Sequence, residues 1–269
     1  VPLFETMKGM EASESIMQTL FDLPIYREHI ARRGDAQTMM LGFSDGTKDG
    51  GYLKANWSIF KTKETLSEVC RKNGVKALFF DGRGGPPARG GGKTHRFYAA
   101  QTGAIANHEI QLTVQGQTIT STYGTPEQFM HNSEQLLTAG LSNAIYGKEN
   151  MITPGQRELL ENLSEISYEK YTDLKNHEKF IPYLEQRSTL KYYKNANIGS
   201  RPGKRGNKAK LELSDLRAIS FVGSWSQLKQ NVPGYYGIGT ALKTLKDQGR
   251  MGDIQALFRE VPFFKALML

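Results

Sequence analysis

In the first third of the chain, three short apolar runs each lead into a side chain that can do chemistry. Glu5 closes VPLF, Asp45 follows MMLGFS, and Asp81 with Arg83 follows VKALFF. If Glu5 and Asp45 are delivered to one place, they form an oxygen-ligand pair for Mg²⁺ or Mn²⁺, ions that take one or two carboxylates plus water and substrate oxygens. The plainer alternative is that both carboxylates only start helices or line loops. Asp81 opens the most unusual segment, DGRGGPPARGGGKTH at 81–95. Six glycines and two prolines in these fifteen residues rule out a helix or strand core, while Arg83, Arg89 and Lys93 supply donors for oxyanions. Glycine lets backbone N–H groups approach a phosphate, and the guanidinium fork adds bidentate contacts. Such a loop can move, close over a substrate and shed water; a flexible linker is the competing reading. The tripeptide GKT at 92–94 invites a nucleotide P-loop, but that motif needs a glycine where Pro87 stands.

Residues that converge in this way need elements to carry them. Positions 1–5, 38–43 and 75–80 read as strands, and 14–23, 25–33 and 51–73 as helices, the last with Trp57, Phe60, Leu66 and Val69 at helical spacing. Short apolar strands separated by helices predict a helix-rich α/β fold with a parallel sheet, whose C-terminal strand ends share one rim. Past the glycine loop, 109–114 and 118–123 alternate apolar and polar residues around Gln115 and Gly116, which predicts a local antiparallel ribbon. Helices are expected at 126–146 and at 154–175, the second with Thr153 as N-cap and Pro154 in its first position. A short strand at 219–225 and helices at 239–247 and 253–259 complete the expectation.

With 38% hydrophobic and 23% charged residues among 269, the chain can bury a core and is not a disordered polymer. No apolar run approaches the about 20 residues of a membrane helix. The single Cys70 excludes an internal disulfide and a cysteine-rich zinc site, and reads as a small buried hydrophobe. Without a signal-peptide pattern, the expected compartment is the reducing cytoplasm. His29, His95, His108, His131 and His177 show no metal-ligand spacing, and Trp57 and Trp225 read as core or site-wall aromatics. The net charge of +8 is matched by positions 187–210, which hold eight bases and no acid. That run fits a solvated loop, a nucleic-acid patch or a site for a small polyanion. The chain starts and stops within apolar runs, the pattern expected of a piece of a larger protein.

Four blocks together resemble the phosphoenolpyruvate carboxylase family, in that family's order: VPLFET at 1–6, MLGFSDGTKDGGY at 40–52, GRGGPPARGGG at 82–92, and GSRPGKR at 199–205 with LRAI at 216–219. GIGTAL at 237–242 extends the likeness over nearly the whole chain. The resemblance implies conversion of phosphoenolpyruvate and bicarbonate to oxaloacetate and phosphate with Mg²⁺ or Mn²⁺. It implies that Glu5 and Asp45 are metal ligands, that Arg83, Arg201 and Arg217 hold the substrate's phosphate and carboxylate, and that Lys48 adds positive charge beside them. Arg89 matches the arginine that stabilises carboxyphosphate and incipient carbon dioxide, and Asp81 stands with Arg83 and Arg89 at catalytic positions.

Three departures stand out. Asp81 replaces the family's common histidine, Phe43 replaces a tyrosine, and the lysine-rich stretch between Arg201 and Arg217 is about two residues longer. The family is several times longer than this chain, and its TAHPT segment with the essential histidine belongs upstream of Val1. Residues 1–269 are therefore expected to be the later part of a (β/α)8 TIM-type barrel, incomplete here and inactive alone, from a parent enzyme that is typically a cytoplasmic homotetramer with no nucleic-acid or membrane partner. A phosphotransferase acting on nucleotide and a nucleic-acid-binding module are the rival functions.

Overall fold

The computed structural model describes residues 1–105, 109–114, 117–146, 150–193 and 212–269. The chain opens with β1 (Leu3–Phe4), three short helices α1 (Met7–Glu11), α2 (Ser13–Asp22) and α3 (Pro24–Arg32), then β2 (Ala36–Leu41), α4 (Phe43–Gly50), α5 (Tyr52–Lys72) and β3 (Lys76–Gly84). After the glycine loop come α6 (Thr94–Ala99), β4 (Ile110–Val114), α7 (Gln117–Tyr123), α8 (Pro126–Tyr146), α9 (Pro154–Asn176), α10 (Phe180–Arg187) and α11 (Leu190–Tyr193). The last described stretch is helical: α12 (Ala218–Gln227), α13 (Val232–Tyr235), α14 (Ile238–Asp247), α15 (Met251–Glu260) and α16 (Pro262–Met268).

The four strands make one parallel sheet in sequential order, β1-β2-β3-β4. A helix-rich α/β fold with a parallel sheet is thus present. Phe4 is level with Leu41, and Leu41 with Asp81, so the next row along the sheet holds Glu5, Gly42 and Gly82. Burial alternates along β2, with Gln37, Met39 and Leu41 buried between half-exposed neighbours. On β3 the buried positions are Ala77, Phe79, Asp81 and Arg83, every second residue as strand geometry requires. A register shift against β4 falls between Asp81 and Gly84, and irregularities of this kind re-aim side chains at the end of a strand.

Two sequence expectations are corrected. Residues 117–123 are helix α7 rather than half of an antiparallel ribbon, and β4 pairs parallel to β3; the proposed turn at Gln115 and Gly116 lies outside the described residues. The stretch 219–225 belongs to helix α12, not a strand. Its buried apolar residues Ala218, Phe221, Val222 and Trp225 recur at helical spacing, and this face packs among Phe180, Leu184 and Leu216. Elsewhere the expected helices stand, including α9 with Thr153 and Gln156 in a reciprocal capping box and Pro154 at its start. Both Trp57 and Trp225 are buried, as is Cys70, whose thiol burial pushes up to about 12. Among the described residues no helix is long and apolar enough to cross a membrane.

Helix α5 is the fold's axis. Its first nine residues, 52–60, are buried on every side, and Trp57 stacks on Phe60 while both contact Phe263 of α16. Across from it, α9 is fastened by Glu161, which accepts hydrogen bonds from Trp57 Nε1 at 2.7 Å, Lys61 Nζ at 2.5 Å and Lys54 Nζ at 3.1 Å. Arg157 adds a bidentate pair to Glu64, both bonds 2.8 Å.

Candidate active site

The site begins where β1 and β2 end. Gly42 N–H donates to Phe4 O at 2.9 Å, and a Cβ on Gly42 would lie 2.4 Å from Glu5 Cβ and 3.3 Å from Glu5 Oε2. Only glycine leaves room for the Glu5 side chain, so the invitation to a carboxylate is built into the neighbouring strand. Asp45 follows in the first turn of α4, a helix that sequence reading passed over because FSDGTKDG has little apolar periodicity. Glu5 and Asp45 therefore stand at the C-terminal ends of adjacent parallel strands, where open and closed α/β sheets gather their ligands. Among the described residues no group of three or more His, Cys, Asp or Glu side chains forms a closed metal cage. Two carboxylates are the donor chemistry that fits a hard divalent cation keeping water and substrate oxygens in its shell.

The glycine loop packs down onto this rim. Its turn Pro87–Arg89 contacts α4, α12 and α13, and Ala88 is buried in the apolar cluster with Leu216, Phe221 and Trp225. The loop is held from within by Arg89 N–H to Pro86 O at 2.8 Å, Gly91 N–H to Pro86 O at 3.0 Å and Gly92 N–H to Gly85 O at 3.2 Å. Gly91 has no alternative residue: a Cβ there would be 1.6 Å from Gly85 O. Gly90 sits at φ +76° with Thr47 Oγ1 and Phe43 O under 3 Å from where a Cβ would be. Arg89 is largely buried, which pushes its guanidinium pKa down, while the nearby Asp45 carboxylate pushes it back up. This brings the loop arginine and one candidate metal ligand into one electrostatic neighbourhood.

Arg83 is fully buried at the end of β3. Its guanidinium lies 4.1 Å from the Phe97 ring centroid and 6.0 Å from that of Phe43. Nη2 donates to Gly91 O at 3.3 Å, while Nη1 reaches Thr94 Oγ1 at 3.3 Å and Gly92 O at 3.5 Å. Gly91 O also takes a long bond from Tyr52, whose hydroxyl pKa burial raises to about 12. Phe43 needs no hydroxyl in this setting, since its ring is wholly buried and edge-on to Phe97 at 5.7 Å.

Arg217 arrives from the far end of the chain as the residue before α12. Lys48 makes the connection: its ammonium donates to Leu216 O at 2.5 Å, and its own carbonyl accepts from Tyr171 OH at 2.9 Å. The structure thus gathers Glu5, Asp45, Lys48, Arg83, Arg89 and Arg217 around α4 and the loop. Arg201, His108 and most of the basic run, from 194 to 210, lie outside the described residues.

Asp81 is placed differently from Glu5. It is 1% exposed on the buried face of β3, where Oδ2 accepts from Lys63 Nζ at 2.6 Å and from Tyr98 OH at 2.8 Å. Breaking such a buried pair from one side costs about 3–5 kcal/mol. Sequence reading missed Lys63 and Tyr98 altogether, for neither falls in a motif and each meets Asp81 only through packing.

Buried Nε atoms of Arg83 and Arg217 have no hydrogen-bond partner among the described residues. Buried polar groups are normally satisfied, so two guanidinium donors left over at this rim are chemically able to take an oxyanion. Fold and site together define a helix-rich α/β protein whose parallel-sheet rim gathers arginines, a lysine and two carboxylates. A family model described as phosphoenolpyruvate carboxylase matches residues 1–269, and the chain belongs to that family. It is 37% identical over 276 residues to a phosphoenolpyruvate carboxylase of Corynebacterium glutamicum, covering 100% of this chain and 30% of that protein. It is 36% identical to the one from Nitrosomonas eutropha, covering 100% of this chain and 29% of that protein, and 34% identical to the one from Mycobacterium leprae, covering 99% and 29%. The chain spans about 30% of the length of the curated relatives it matches.

Proposed function

We propose that the protein to which this chain contributes carboxylates phosphoenolpyruvate with bicarbonate, giving oxaloacetate and phosphate, and that the chain supplies much of the catalytic rim of a (β/α)8 barrel. The observation that carries this reading is the pair of orphaned Nε donors on Arg83 and Arg217, borne by elements that pack against α4, the helix of Asp45. A trianionic substrate and bicarbonate call for this combination of fixed cations and a hard-metal site.

Arg83 and Arg217, with Arg201 by resemblance, bind the phosphate and carboxylate and hold the phosphorus in line with a bicarbonate oxygen. Lys48 positions Arg217 through Leu216 O and adds charge to the same wall. Attack of the bicarbonate oxygen on phosphorus breaks the bond to the enol oxygen and yields carboxyphosphate and the enolate of pyruvate. Arg89 faces the carboxyphosphate, which splits into carbon dioxide and phosphate, the bicarbonate proton leaving with the phosphate. The enolate carbon then takes up the carbon dioxide, forming oxaloacetate. Throughout, the docked loop excludes water that would intercept the intermediate. Glu5 and Asp45 would hold Mg²⁺ or Mn²⁺, which supplies Lewis-acid neutralisation of enolate and phosphate charge. In this reading Asp81 acts from beneath the site, and the parent protein is a cytoplasmic homotetramer that replenishes the tricarboxylic acid cycle.

The full-length protein tests it. With Mn²⁺, phosphate release should require both phosphoenolpyruvate and bicarbonate and should match oxaloacetate formed, and Arg217→Ala should lose at least a hundredfold in kcat/KM, about 2.7 kcal/mol of transition-state stabilisation. Phosphate release without oxaloacetate, or stabilisation by ATP with Mg²⁺ and none by phosphoenolpyruvate, would replace the reading with a phosphotransferase.

A further inference from the structure

Lys63 lies outside every motif in the chain, yet its side chain is only 2% exposed and it is locked into the underside of the site. Its ammonium meets Asp81 Oδ2 at 2.6 Å and is caged by aromatic rings, with centroids at 5.1 Å for Phe79, 5.5 Å for Tyr98 and 5.8 Å for Phe97. Phe97 is the same ring that carries the Arg83 guanidinium at 4.1 Å. Lys63, Asp81 and Arg83 therefore form one buried cluster of two cations and one anion. Asp81 and Arg83 are two residues apart on one face of β3, close enough for the carboxylate to favour the charged form of both cations, while Arg83 disfavours that of Lys63.

The single carboxylate can serve either cation, and its choice decides what Arg83 is free to do. With Asp81 engaged by Lys63 and Tyr98, Arg83 spends Nη1 and Nη2 on the loop at Gly91, Gly92 and Thr94, and its Nε stays open. A carboxylate two residues from an anion-binding arginine demands a second cation. We propose that Lys63 is a positioning residue that keeps the Asp81 charge off Arg83 and so reserves the Arg83 guanidinium for the glycine loop and a bound oxyanion. The identity of that oxyanion rests on the proposed function; the arrangement of charges does not.

The test uses the full-length protein and inorganic phosphate as probe, with calorimetric affinity read alongside KM and kcat for phosphoenolpyruvate. Lys63→Met leaves Asp81 with Arg83 as its only neighbouring cation among the described residues, and should weaken phosphate binding about tenfold or more and raise KM more than it lowers kcat. Lys63→Met combined with Asp81→Asn removes the diverting charge and should bring phosphate affinity back to within about threefold of the unaltered protein, as should Lys63→Arg. A purely structural Lys63 would shift the denaturant midpoint and its rescue by Asp81→Asn, but would leave the phosphate affinity of folded Lys63→Met unchanged. Equal affinity in Lys63→Met and the unaltered protein, or a folded double variant as weak as the single one, overturns the proposal. If Lys63→Met does not fold by circular dichroism, the double variant and Lys63→Arg decide, because neither leaves a carboxylate uncompensated. An unaltered protein that binds phosphate but makes no oxaloacetate refutes the carboxylase reading and leaves the phosphate series to judge Lys63.

Discussion

Replacing Gly91 by alanine isolates the role of the docked loop, because the residue has no positive φ and the only obstacle is space. The new Cβ would stand 1.6 Å from Gly85 O and 2.5 Å from Gly85 C, so the two strands of the loop must part by about 1.4 Å to reach even the 3.0 Å limit of real Cβ contacts. That movement removes the Arg83 Nη2 bond to Gly91 O, a charged hydrogen bond worth about 1.5–3 kcal/mol, and the Gly92 N–H bond to Gly85 O, worth about 0.5–1.5 kcal/mol. Together they disfavour the docked loop by about 2–4.5 kcal/mol, and if chemistry requires docking, kcat/KM falls by about thirtyfold to two thousandfold. Steady-state kinetics on the full-length protein read this directly. Limited trypsin digestion of the 269-residue chain gives a second measure, since an undocked loop exposes the bond after Arg89. Gly155→Ala, at a helical site with nothing within 4 Å of the new Cβ, serves as control and should change neither. Unchanged kinetics and unchanged resistance to trypsin in Gly91→Ala would show that the packed loop has no part in catalysis.

Two further outcomes follow from the same geometry. Glu5→Gln and Asp45→Asn should each weaken Mn²⁺ binding to the full-length protein by at least tenfold, about 1.4 kcal/mol, in a paramagnetic relaxation titration, and unchanged affinity in both would refute the assignment. Burial alone would raise the Glu161 pKa, but hydrogen bonds from Lys61, Trp57 and Lys54 bring it down from the ordinary carboxylate value to about 2. A depressed carboxylate stabilises the fold fully above the unfolded value and loses that contribution as pH falls toward 2, so denaturant midpoints should drop across this window and drop less in Glu161→Gln. Equal slopes in the two proteins would remove Glu161 from the account of how α9 is held to α5.

The sequence exposed the sheet and its rim because strand and helix periodicities are local. Glu5, Asp45 and Arg83 could be aligned once 38–43 and 75–80 were read as strands of one parallel sheet. Residues 219–225 misled for a physical reason: Ile219, Phe221, Val222 and Trp225 favour a strand by composition, and a short apolar run does not reveal its period until packing chooses one. Thr118, Ile119, Thr120 and Thr122 misled in the same way, β-branched residues drawn into α7 by tertiary context. The partners of Asp81 were invisible because Lys63 lies 18 positions away on another element and reaches it only when α5 packs on β3. Lys48 and Arg217 were legible through the family resemblance alone, and the bond between their segments was not.

That bond also bears on the order in which the molecule can assemble. Lys48 and Leu216 are 168 positions apart, Tyr171 and Lys48 123, and Lys175 Nζ reaches Asp49 O across 126. By contrast the row holding Glu5 and Gly42 closes a far shorter stretch of chain, with α1 to α3 filling the interval. Loop-closure entropy favours the nearer contacts and delays the distant ones. The carboxylate end of the rim is thus encoded in early, nearby chain, whereas the cationic end waits on polypeptide that a ribosome delivers more than a hundred residues later.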